Sequence, residues 1–137
     1  MLSQTNHATI KRFVQHTLGC ACPDEVFAVV EYHVNTIVSP DLPYSFKLLV
    51  GQRLLVYVLC GVAPQGIKSL LPVMLTKGRQ ERDEKGLNRF RAVIVTDRVD
   101  ELEPDATELF KALSDRDDNV HLHVLAGDQI EAINALT

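Results

Sequence analysis

The chain has 137 residues and a mass of 15.3 kDa, which at roughly 100–200 residues per domain makes one domain, residues 1–137. Hydrophobic residues are 46% and charged residues 23%, a globular balance that excludes a disordered tail, a collagenous repeat and a coiled coil. Fourteen Lys and Arg stand against eighteen Asp and Glu, a net charge of −4, and the signs are interspersed, so no basic face offers itself to nucleic acid.

The densest charged run, Arg79-Gln80-Glu81-Arg82-Asp83-Glu84-Lys85, balances three positives with three negatives and reads as a solvated helix end or loop. The stretch Met1-Leu2-Ser3-Gln4-Thr5-Asn6 shows no basic residues leading into an apolar run, so no secretory signal is expected. The longest apolar stretch, Leu54 to Cys60, has seven residues where a bilayer needs roughly 20. A cytoplasmic protein without a membrane partner is the expectation. Three cysteines, an odd number in a reducing compartment, argue against a disulfide framework.

Ile10, Phe13, Val14, Thr17 and Leu18 recur at helical spacing, and Gly19 suits the left-handed residue that closes a helix. Pro23-Asp24-Glu25 reads as a tight turn and Ala28 to Val34 as a strand. Ser39-Pro40-Asp41-Leu42-Pro43-Tyr44-Ser45, with two prolines, is a loop. Phe46–Val50 and Arg53–Cys60 are strands on either side of Gly51-Gln52, where glycine first suits a type II′ hairpin.

Ile67, Leu70, Leu71, Met74 and Leu75 form a second helical stripe, which Pro72 is expected to kink or divide into two helices. Phe90–Val95 is a strand covered on both faces. A third stripe, Ala106, Leu109, Phe110 and Leu113, is led in by Pro104-Asp105. Val120–Leu125 is the last strand, and Asp128 with Glu131 resembles a capping box before a final helix. The order α-β-β-β-α-β-α-β-α requires a mixed sheet, an antiparallel meander continued by parallel strands, with helices on both faces.

Chemistry concentrates at Cys20-Ala21-Cys22-Pro23, just past the first helix. Two thiols one residue apart can reach one soft metal or take part in thiol exchange. Structural zinc normally needs a second ligand pair, and Cys60 with His16 or His33 are the residues that could complete the set Cys20, Cys22, Cys60, His16. Zinc or iron is the metal such a set would hold. The alternative is a helix-to-strand corner packed by small, half-buried cysteines.

His121 and His123, two apart on a strand, share one face that a metal could use; the simpler reading is the second face of an edge strand. Cys60-Gly61-Val62-Ala63-Pro64-Gln65-Gly66 links a strand end to a helix but matches no phosphate-binding fingerprint. Asp97 and Asp128 lie just past strand ends, where turn or cap roles suffice, and a pocket enclosing them with Cys60 would point to an enzyme. No nucleophile elbow occurs, and the absence of a recognisable catalytic set leaves a non-catalytic interaction module as the alternative function, a homo-oligomer or a partner of another protein.

Two resemblances add to this reading. The stretch Leu18-Gly19-Cys20-Ala21-Cys22-Pro23-Asp24-Glu25-Val26-Phe27 is similar to the Leu-Gly-Cys-x-Cys-Pro-x-Glu-Val-Phe stretch of uncharacterised small prokaryotic proteins, a likeness that implies no activity but treats the cysteines as a unit. The α-β-β-β-α-β order resembles restriction-endonuclease-like domains over residues 8–97. There the family's magnesium-binding acids would fall at Phe46-Lys47 and Val56-Tyr57-Val58-Leu59, which carry none. That resemblance implies a nuclease-like fold without the nuclease activity.

Overall fold

The computed structural model describes residues 4–19, 23–34, 46–113 and 118–130. Its elements are α1 (Gln4–Arg12), β1 (Val30–Val34), β2 (Phe46–Val50), β3 (Leu54–Leu59), α2 (Ile67–Glu84), β4 (Arg89–Val95), α3 (Val99–Leu113) and β5 (Val120–Leu125). The five strands lie side by side in chain order in one open sheet. β1–β2 and β2–β3 are antiparallel, and β3–β4 and β4–β5 are parallel. The mixed α/β architecture expected from the alternation of stripes and strands is the one the chain adopts.

Two-residue alternation along the central strands separates two apolar layers. Phe46, Leu48, Val50, Leu54, Val56, Val58, Val93 and Val95 pack against Ile10, Phe13, Val14 and Leu18 from the N-terminal helix. On the opposite face Leu55, Tyr57, Leu59, Phe90, Ala92 and Ile94 meet Ile67, Leu71 and Met74 of α2 and Leu102 and Ala106 of α3. β3 is buried along its whole length because helices cover both of its faces. Each such Leu, Val or Phe contributes roughly 1.5–3 kcal/mol by leaving water.

Local chemistry shifts several boundaries. α1 continues into a π-helical turn, Phe13–Thr17, closed by Leu18 N donating to Phe13 O at 3.0 Å, and Gly19 then takes the expected left-handed conformation at φ 70°. Asp24–Ala28 forms a 3₁₀ turn, so β1 starts only at Val30.

The β2–β3 turn is not type II′. Gly51 and Gln52 both have positive φ, 61° and 56°, the signature of type I′, which matches the twist of the flanking strands. Glycine is needed at 51 for a second reason: a Cβ there would collide with the backbone carbonyl of Val26.

α2 is one helix with Pro72 inside it, not two helices. Pro72 sits in the second turn and removes the donor to Lys68, an exposed residue at which water can serve instead. α3 likewise begins before Pro104, at Val99, with Asp100 and Glu101 in the first turn, where the helix dipole favours acids. Gly127–Ile130 is a 3₁₀ turn; the expected helix beyond it, and the loop 39–45, lie outside the described residues.

Candidate functional site

Parallel pairing brings the carboxyl ends of β3, β4 and β5 to one edge of the sheet, the usual place for a ligand in an α/β protein. A cavity of about 560 Å³ opens there, lined among others by Cys60, Gly61, Thr96, Asp97, Arg98 and Gly127. Its loops are pinned: Val62 N donates to Val95 O at 3.2 Å, Thr96 N to Leu125 O at 3.0 Å, and Ala126 N to the Gln129 side chain at 2.9 Å. Buried Thr96 accepts from Arg98 N through Oγ1 at 3.1 Å, so Thr96 rather than Asp97 supports the start of α3. Arg98 pairs with Glu101 at 2.7 Å.

Cys60 is exposed at this edge and forms no disulfide. Burial, and then the charge of the Cys60 thiolate, push the Tyr32 pKa up. The cavity is lined by both Cys60 and Asp97, two of the three residues whose common enclosure would point to an enzyme. Asp128 is exposed in the adjoining 3₁₀ turn and does not line it.

A second polar group lies under α1. Arg91 is only 6% exposed, on the face of β4 that meets the N-terminal helix. Its Nη1 donates to Leu18 O at 3.0 Å and lies 2.9 Å from Nε2 of His123. Its Nε is buried without a hydrogen-bond partner, and among the described residues no carboxylate pairs with it. Burial and the charge of Arg89 lower the Arg91 pKa, yet a guanidinium keeps its proton.

His123 is held down to about pKa 4, first by burial and then by the charges of Arg91 and His121. Val120, Leu122 and Val124 face α2 and α3, so His121 and His123 do occupy the second face of an edge strand, and His123 acts as an acceptor for arginine.

The third group was not visible in the pattern. Glu81, in the run read as a solvated helix end, instead reaches the sheet with its side chain 12% exposed. Its carboxylate accepts from Lys47 at 2.9 Å, from Lys85 at 2.7 Å and from the Tyr57 hydroxyl. Burial alone would raise its pKa, but the bonds from Lys85, Tyr57 and Lys47, with the Lys47 charge, lower it. Lys47 and Tyr57 are register partners on β2 and β3. No spacing rule joins residues 47, 57 and 81; only the sheet register and the α2 packing do.

Cys20 and Cys22 lie outside the described residues. Of their expected companions, His16 is exposed on the π-helical turn and Cys60 is at the strand-end cavity. Leu18 is tied to Arg91, which pairs with Val56, and Cys60 is about 13 Å further along that strand. Among the described residues no group of three His, Cys, Asp or Glu is placed to hold a metal ion, and no helix is long and apolar enough to cross a membrane. Comparison with protein-family models, with curated proteins and with solved structures gave no match.

Proposed function

We propose that the chain works through the thiols of Cys20 and Cys22, as a pair that binds a soft metal such as zinc or iron or undergoes thiol exchange. The observation supporting this reading is Arg91. A buried guanidinium that no carboxylate among the described residues pairs with is bound to the carbonyl of Leu18, two residues before Cys20. Nearby positive charge favours the thiolate, which is both the metal ligand and the nucleophile. The π-helical turn leading into the segment points the same way, since such turns recur at functional sites.

Iodoacetamide alkylation of Cys20 and Cys22, followed by mass spectrometry across pH, tests the reading together with metal analysis of the purified protein. The expected midpoint lies below the ordinary thiol value of about 8.5 and rises in Arg91→Met. Thiols that react like an unperturbed cysteine, in a protein whose metal content equals that of the Cys20→Ser, Cys22→Ser variant, would overturn it.

The strand-end cavity favours a second reading, an enzyme or binding protein for a small polar molecule held between Cys60, Asp97 and Arg98. In that case alkylation of Cys60 slows when the ligand is present, and Asp97→Asn abolishes the protection. A Cys60 alkylation rate unchanged by every polar metabolite class tried would count against this second reading.

A further inference from the structure

We propose that β1 is the contact strand of a symmetric dimer, in which two copies of this chain join their sheets edge to edge. This goes beyond the thiol reading and does not depend on it. β1 is a terminal strand of the sheet with β2 as its one strand neighbour among the described residues. It carries neither lysine nor proline between Val30 and Val34, the devices that commonly keep sheet edges apart.

The register supplies the partner. Gly51 N donates to Val29 O at 2.7 Å, and these two residues face each other in the β1–β2 ladder. Residues 29, 31 and 33 therefore exchange their hydrogen bonds with β2, while the backbone groups of Val30 and Val34 point away from it. Antiparallel pairing about a twofold axis at residue 32 sets Val30 of one copy opposite Val34 of the other, each with its N–H and C=O directed across the new interface.

The sequence Val30-Glu31-Tyr32-His33-Val34 is self-complementary in that register. Glu31 of each copy falls opposite His33 of the other, in the closer, non-hydrogen-bonded type of pair, where an imidazole N–H can donate to the carboxylate. Glu31 and His33 are both exposed and lie on the same face of the sheet, so neither is occupied with the core. The opposite edge strand does not fit as well. The same operation on β5 would set His121 opposite His123, two like groups, and His123 already lies against Arg91.

Sedimentation velocity of the full chain over a concentration series tests the interface. The expected result is a concentration-dependent dimer. His33→Glu puts four carboxylates together at the axis and raises the dimer dissociation constant by about tenfold. Glu31→Lys combined with His33→Glu exchanges the charges and restores the wild-type constant, which separates the pairing from any loss of folding. A wild-type chain that is monomeric throughout, or a dimer that His33→Glu leaves unchanged, would overturn the proposal.

Discussion

Arg91 and His123, on adjacent parallel strands, lie with the guanidinium Nη1 2.9 Å from the imidazole Nε2, so the ring must be neutral to accept that hydrogen bond. This contact lives on the α1 face of the sheet and makes folding sensitive to acid. The His123 pKa falls to about 4 in the folded chain against about 6.5 when unfolded. The unfolded state therefore binds the extra proton first. The stabilisation is complete above about pH 6.5, declines as pH falls, and is lost by about pH 4.

The loss amounts to on the order of 2 kcal/mol, allowing for the partial solvent access of the ring. Urea unfolding at pH 7 and pH 4.5 measures it. His123→Gln keeps an acceptor for Arg91 but has no proton to gain, so its stability should fall less between the two pH values. An identical drop in both proteins would assign the acid sensitivity elsewhere.

Glu81 should matter more than either of its lysines. Glu81→Ala leaves Lys47, 8% exposed, without its carboxylate, and costs about 3 kcal/mol. Lys47→Met removes the buried charge and keeps Lys85 and Tyr57 on Glu81, so it changes stability by about 1 kcal/mol or less. Comparing the two unfolding midpoints is decisive: the reverse order would mean that Lys47 is the indispensable partner of this acid and that Lys85 and Tyr57 do not suffice without it.

Gly78 explains how α2 approaches the sheet. A Cβ on Gly78 would overlap the ring of Phe90, which is fully buried and packed edge-on to Tyr57 with ring centroids 5.0 Å apart. Alanine is the better helix former by about 1 kcal/mol, yet Gly78→Ala should destabilise by about 1–3 kcal/mol, because overpacking exceeds propensity. Adding Phe90→Leu should recover most of the loss in thermal unfolding; no recovery would locate the strain away from that ring.

Gln52 adopts a left-handed conformation, φ 56°, that costs an ordinary residue roughly 1–2 kcal/mol. Gln52→Gly relieves it, less the added entropy of the unfolded chain, for a net gain of about 0.5 kcal/mol. Gly51→Ala on the same turn should lose stability instead, since its Cβ meets the Val26 carbonyl. Equal effects from the two substitutions would contradict this turn geometry.

Much of the architecture was legible in the residues because periodicity reports burial. Period-two and helical stripes announced five strands, the three helices that surround them, and a meander continued by parallel strands. Turn and helix boundaries were less legible. Pro72 reads as a break and Pro104 as the lead-in to a helix, but each falls in a helix's second turn opposite an exposed residue, where one missing hydrogen bond is tolerated.

The polar groups divide in the same way. Nearest-neighbour signals such as Cys20-Ala21-Cys22 can be seen in a string of letters. Arg91 against Leu18 and His123, Glu81 against Lys47 and Tyr57, and Cys60 beside Asp97 cannot, since these partners are separated by tens of residues. Composition and local pattern alone determined the layers of this protein, because hydrophobic spacing acts within a single strand or helix turn. Which charges are buried, which thiol meets a cavity and which edge is self-complementary were decided by register and packing, since those depend on where distant segments meet.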